Sequence, residues 1–402
     1  MDPHITEWLN LAVRWVHMIT GIAWIGASFY FVWLENHLDR SNPREGLSGD
    51  LWAIHGGGIY HLEKYKLAPP KMPEQLHWFK WEAYATFLSG FTLLAVVYYL
   101  NAQLYLVAPG SGLSSAAAIG ISIGSLVAGW FIYTTLRDSP LGKSPALLGL
   151  VLFVLLIAAA WGFTQVFSGR AAFIHIGAII GSIMVGNVFF IIMPAQTDLV
   201  GAINAGREPD PALPAKGLLR SRHNNYFTLP VLFIMISNHF PSTYGFEYNW
   251  VILAGLAVLS VLVRHYFNTR HQSQKFIWTI PAAALGMIAL AFVTAPKSVE
   301  KSDTRVSFTQ VKQIIDERCT VCHSTTPTFA GFTAAPLGVV MDDAHQIQTL
   351  APRIQAQAIT TQAMPLGNIT QMTQQERDLL GTWIAQGALT ESPSARSLQI
   401  AH

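Results

Sequence analysis

The sequence predicts an all-α protein: a polytopic helical membrane bundle of about eight spans, then a small soluble helical domain. Three observations predict it. Of the 402 residues 51% are hydrophobic and only 12% charged, where a soluble chain carries about a quarter. Apolar stretches long enough to cross a bilayer recur as far as Phe292. Beyond residue 296 the composition turns polar, and the apolar residues fall into short amphipathic patterns.

The spans are expected near residues 9–34, 79–100, 112–136, 145–167, 171–194, 226–241, 249–267 and 278–295, the sixth being the shortest. Pro109-Gly110 and Pro140-Leu141-Gly142 mark connecting turns. Gly177, Gly181 and Gly186 in the fifth span suit close helix packing in lipid. The first turn, Met1 to Glu7, is acidic and leads into a run long enough to span, unlike a secretory signal. Most tryptophans, such as Trp15, Trp33, Trp78, Trp81 and Trp250, fall near span ends, as an aromatic belt requires. No internal repeat is visible.

Loop charges set the orientation. Alternate loops carry Arg40, Arg44, Lys64, Lys66 and Lys71; then Arg137 and Lys143; then Arg207, Lys216, Arg220 and Arg222; then Arg270 and Lys275. The other loops carry little beyond Arg170. The positive-inside rule makes the basic loops cytoplasmic, which puts both termini outside. The expected organisation is a membrane domain over 1–296, a linker over 297–305, a small domain over 306–392 and a polar tail over 393–402. The net charge of +2 is uninformative about nucleic acid, and no basic arm or stripe points to one, so no nucleic-acid partner is expected.

The small domain carries the most specific motif. Its two cysteines, the only ones in the chain, are too close to staple a domain. Cys319-Thr-Val-Cys322-His323 is instead the covalent haem pattern: two thiols form thioethers to one macrocycle and the adjacent imidazole reaches the iron. The flanks agree. Ser307 to Asp316 is amphipathic, Thr373-Gln-Gln-Glu376 is a capping box, and Met364-Pro365 lies 41 residues after His323. Met364 is the expected second axial ligand; Met341 and Met372 are rivals, but neither precedes a proline. These features predict a cytochrome c fold holding haem c on Cys319, Cys322, His323 and Met364. Haem c attachment takes place outside the bacterial cytoplasm, in agreement with the charges.

Ionisable residues inside spans are costly and commonly functional. Arg14 and His17 share one face of the first span, His175 opens the fifth and His239 closes the sixth. All four fall in the outer half, which suggests a second, noncovalent haem b with His17 and either His175 or His239 on the iron and Arg14 on a propionate. The plain alternative is hydrogen bonding between helices. His265, at the inner end of the seventh span, reads as interfacial.

Two inner segments are expected as long loops. Residues 35–78 contain Trp52-Ala-Ile-His55-Gly-Gly-Gly-Ile-Tyr60-His61, and residues 195–225 end in Arg222-His223-Asn224-Asn225. Glycines flanked by histidines let backbone approach a ligand closely. His55, His61, Arg222, His223 and Asn224 together offer groups suited to a flat anionic heterocycle. The plain alternative is that the bases only fix topology and touch anionic lipid.

With these parts in order, the chain resembles the bacterial membrane-bound, cytochrome c-fused urate hydroxylases (urate oxidases). The resemblance covers nearly the whole length. It rests on the order of domains and on Arg14-Trp-Val-His-Met-Ile-Thr-Gly-Ile-Ala-Trp-Ile-Gly26, Trp52-Ala-Ile-His-Gly-Gly-Gly58 and Arg222-His-Asn-Asn-Tyr-Phe-Thr-Leu-Pro230. It implies conversion of urate to 5-hydroxyisourate at the bacterial inner membrane. Electrons would leave through the periplasmic cytochrome to a soluble cytochrome c or terminal oxidase, without forming peroxide. A cytoplasmic site and an outer haem c would lie roughly ~30 Å apart, too far for one hop, which favours a second redox centre or a site nearer the outer face. Two other classes fit the residues alone: a quinol-linked cytochrome conduit without catalysis, and a transporter with a haem sensor domain.

Overall fold

The computed structural model describes residues 3–108, 110–246, 248–295, 305–329 and 332–390. The expected linker and polar tail lie mostly outside these residues.

The chain opens with one long helix, Pro3–His37. Helices Trp81–Leu94, Ser115–Asp138, Pro145–Val166, Gly169–Gly186, Ala212–Ser237, Asn249–Thr269 and Thr279–Val293 follow. Each matches an apolar stretch of the sequence, and polar residues punctuate the ends. Ser114 and Ser168 accept hydrogen bonds from Ala117 and Ala171 and cap their helices. Pro145 starts its helix at a position where the missing amide hydrogen costs nothing. Six helices among the described residues are long and apolar enough to cross a membrane. The run from Trp81, which passes into a π-turn at Ala95–Tyr99, is not among them. The Ala212–Ser237 helix is too polar to qualify, since it carries Lys216, Arg220, Arg222, His223, Asn224 and Asn225.

Two expectations are corrected. Residues 195–225 are not a loop. The Gly169–Gly186 helix continues through a π-turn, Asn187–Ile192, into Met193–Asn204. The next helix starts at Ala212, so its polar residues lie on a helix whose inner face is buried. The segment is helical despite its polarity because Arg220, Asn224 and Asn225 face protein, not water. Nor is the 35–78 segment, within an otherwise mostly helical fold, simply a loop. Leu47–His55 and Gly58–Tyr65 form an antiparallel hairpin with His55 opposite Gly58. Gly56 and Gly57 have φ of 57° and 82°, the left-handed pair that a two-residue hairpin turn needs. The glycines therefore close a turn. A two-stranded hairpin is marginal alone; Lys64 and Arg40 tie this one to Glu35 at the end of the first helix.

The main core lies between the Ser115–Asp138, Pro145–Val166 and Gly169–Gly186 helices, around Leu126, Tyr133, Phe163, Phe167, Phe173 and Ile180. Glycine makes the closest approaches: a Cβ on Gly177 would meet Ile234 at 2.6 Å. A separate core holds the small C-terminal unit, around Val311, Ile315, Ile347, Leu380 and Trp383. Its helices Phe308–Arg318 and Gln374–Ala385 both start at capping boxes, on Ser307 and Thr373. This unit rests on the bundle end opposite the hairpin. Thr361 and the Leu366–Asn368 turn meet Gly245 and the Ala102–Tyr105 turn there.

Candidate functional site

Buried polar groups gather in the hairpin half of the bundle. Tyr133, Asn187 and Arg220 are completely buried, and Asn224 is nearly so. They come from three helices. The amide nitrogen of Asn187 donates to Tyr133 Oη at 3.1 Å and to Asn224 Oδ1 at 2.9 Å. Asn224 Nδ2 donates to the Met184 carbonyl at 2.9 Å. Tyr133 Oη lies 2.8 Å from His223 Nδ1. Because Tyr133 already accepts from Asn187, its own hydrogen points to His223, whose Nδ1 accepts. The Arg220 guanidinium lies over the Tyr133 ring at 5.1 Å and donates to the half-exposed carboxylate of Asp138 at 3.0 Å. Asn187 opens a π-turn, a device that turns a side chain out of helical register and often marks function.

The five residues expected to hold a substrate separate here. His223 and Asn224 join the buried network. Arg222 is exposed, two positions and about 200° round the helix from Arg220. His55 and His61 are exposed on the hairpin. His61 pairs with Asp50 at 2.6 Å and stacks on Trp52 with ring centres 4.2 Å apart. A cavity of about 530 Å³ does open beside His55, between hairpin and first helix. Its walls are Tyr30, Trp33, Ala53, Ile54, His55, Tyr60 and Leu62, with no fixed cation for an anion. The residues missed were Tyr133, Asp138, Asn187 and Arg220. Arg220 was findable, standing three and four positions before His223 and Asn224 on one helical face.

The outer histidines have protein partners. His175 is fully buried and uses both ring nitrogens, Nδ1 to the Ala171 carbonyl at 2.7 Å and Nε2 to Ser122 Oγ at 2.5 Å. Phe163, Phe167 and Tyr98 pack on its ring. His17 bonds through Nδ1 to the Thr86 carbonyl and Ser89 Oγ, joining the first helix to the second. His239 is exposed. Among the described residues no hydrogen bond, ion pair or ring contact links the three. Arg14 is bonded to Asn10. With both nitrogens engaged, His175 does not fit an axial ligand of haem b. The His175→Ala variant is expected to lose about 1–3 kcal/mol of stability by stranding buried partners, with unchanged haem content. Loss of a noncovalent haem in its pyridine haemochrome spectrum would restore the ligand role.

The haem c motif does fit its group. Residues 319–323 form a single tight turn, with the amides of Cys322 and His323 both bonded to the Cys319 carbonyl. His323 Nδ1 donates to the Val339 carbonyl at 3.1 Å, which leaves the Nε2 lone pair for a metal. Burial pushes the Cys319 thiol up to about 12 and holds the His323 imidazole below its usual range. Met341 and Met372 are buried in the domain core, while Met364 is only partly buried, the accessibility an axial ligand needs. Arg377 holds the Met364 carbonyl at 2.8 Å.

Long apolar helices wrapped around buried amide and guanidinium groups define the class, a helical protein of membrane type with a polar interior site. Residues 3–295 match the family model described as Urate oxidase N-terminal. The chain belongs to that family, and membership supports oxidoreductase chemistry on urate. No curated protein and no solved structure matches the chain.

Proposed function

We propose that the protein is a membrane-bound urate oxidase whose electrons pass to a haem c on its own C-terminal domain. Urate (counted as the neutral acid) and one water become 5-hydroxyisourate, two protons and two electrons. The observation that carries this reading is the union, in one chain, of the urate oxidase family region and a Cys319–His323 turn shaped for haem c. Bound haem c supplies a one-electron acceptor whose methionine ligand would raise its potential. The bundle supplies the substrate site, with His223 and Asn224 the expected residues that the structure buries together. No step is assigned to a haem b.

The eight helical runs are read as eight spans, with the hairpin end cytoplasmic and the C-terminal unit periplasmic, in a bacterial inner membrane. The polar Ala212–Ser237 run is compatible with spanning because Arg220, Asn224 and Asn225 face protein, while the exposed Lys216 and Arg222 lie in its N-terminal half, toward the cytoplasmic end. A soluble cytochrome c or a terminal oxidase would reoxidise the haem.

The test uses purified full-length protein without oxygen. Urate should turn the haem c absorption bands to the reduced form with one 5-hydroxyisourate made per two haems, and should bleach further only when an oxidised soluble cytochrome c is added to take the electrons. In air, no peroxide should accumulate. Peroxide formed one-for-one with urate would refute the electron route, and inert haem with urate would leave the quinol-linked conduit. In the same preparation, Met364→Ala should remove any methionine–iron charge-transfer band and lower the reduction potential. Survival of the band would pass the ligand role to Met341 or Met372.

A further inference from the structure

We propose that the buried network around Arg220 is the urate-binding site, and that Asp138 is a displaceable stand-in for the substrate's charge. This rests on the urate reading above. Every member of the network has its bonding direction fixed by a neighbour, and what remains unbonded defines the ligand. Arg220 is completely buried, yet among the described residues its Nε and Nη1 have no hydrogen-bond partner. Asn187 is equally buried, and no described residue donates to its Oδ1. His223 accepts Tyr133 through Nδ1, so its neutral form carries hydrogen on Nε2, and that edge has no partner among the described residues. Three donors and one acceptor are therefore unspent beside an aromatic ring.

Buried polar groups are nearly always bonded, to protein, water or a ligand, and a polar ligand that took the place of water here would complete all of these at once. The complement is a planar molecule with an anionic acceptor edge for Arg220 and His223 and an N–H for Asn187. Urate has that pattern: ring N–H groups beside carbonyl and anionic oxygen and nitrogen. Arg220 meets one carboxylate, that of Asp138, whose side chain is 48% exposed. A buried cation whose sole anionic partner reaches water can exchange that partner for an incoming anion. Arg137, bonded to Asp138 at 2.8 Å, keeps the displaced carboxylate at the bundle's inner face.

The test contrasts two variants in the full-length holoenzyme, each checked for haem c content and thermal stability. Arg220→Lys keeps the charge but loses the fork, and should raise the urate KM at least about 10-fold, the change expected when a charge-assisted hydrogen bond is lost. Asp138→Asn should lower KM several-fold, because the competing anion is removed, even though the variant is less heat-stable. Urate should also raise the Tm of Asp138→Asn more than that of wild type. A merely structural ion pair predicts the opposite: both variants lose stability and neither gains affinity. Unchanged KM in Arg220→Lys, or a raised KM in Asp138→Asn, would overturn the site while wild-type urate oxidation still stands. Wild type that neither oxidises urate nor gains Tm from it would overturn the activity and the site together.

Discussion

A protein carrying Cys319→Ser and Cys322→Ser together should contain no covalent haem, and its urate-dependent electron transfer should fall to background. This is the largest effect expected. Without thioethers, the macrocycle would be held only by axial ligands in a cleft whose core is otherwise small, around Val311, Ile315 and Trp383. Haem staining of a denaturing gel should lose its signal completely. Urate should nevertheless still raise the Tm, because the network around Arg220 belongs to a separate core. Retained covalent haem would disprove the attachment. Retained urate oxidation without haem would show that electrons leave by another route.

Orientation gives the second all-or-none outcome. A reporter active only in the periplasm should be silent when fused after Gly206 and active when fused after Ser111. Gly206 lies in the short turn between Asn204 and Ala212, at the end that also carries Arg137, Lys143, Arg270 and Lys275. That these segments share an end is shown by contacts across it: His37 and His271 have ring centres 4.6 Å apart, and Asp138 pairs with Arg220. Moving so many cationic groups through hydrocarbon would cost about 2.5 kcal/mol or more each, so one orientation dominates. An active fusion after Gly206 would reverse the molecule and move the network around Arg220 to the haem-attachment side of the membrane.

The amino-acid sequence alone determined most of the apolar helices and the Cys319–His323 spacing on which the haem c proposal rests. Apolar runs bounded by Ser114, Ser144 and Ser168 could form little but spanning helices, because backbone polar groups in lipid must be bonded within the segment. The Cys319–His323 spacing is local chemistry, readable wherever it occurs, and the capping boxes at Ser307 and Thr373 are equally local. Family membership likewise follows from sequence over residues 3–295.

Only the tertiary structure decided which polar residues work together. Arg222 and Arg220 differ by two positions; the three- and four-residue spacing to His223 and Asn224 favours Arg220 only once the segment is known to be a helix. The choice depends on which helical face meets Ser115–Asp138, a packing fact set by close approaches such as Gly186 against Trp130. Asn187 reaches Asn224, and Tyr133 reaches His223, from distant parts of the chain, and a π-turn displaces the register that a sequence pattern assumes. His175 resembled a ligand because an intramembrane imidazole is rare; packing gave both of its nitrogens to Ala171 and Ser122. Periodicity reports that a polar group lies in a span, whereas its partner is fixed by helix rotation and crossing, which depend on all the helices at once.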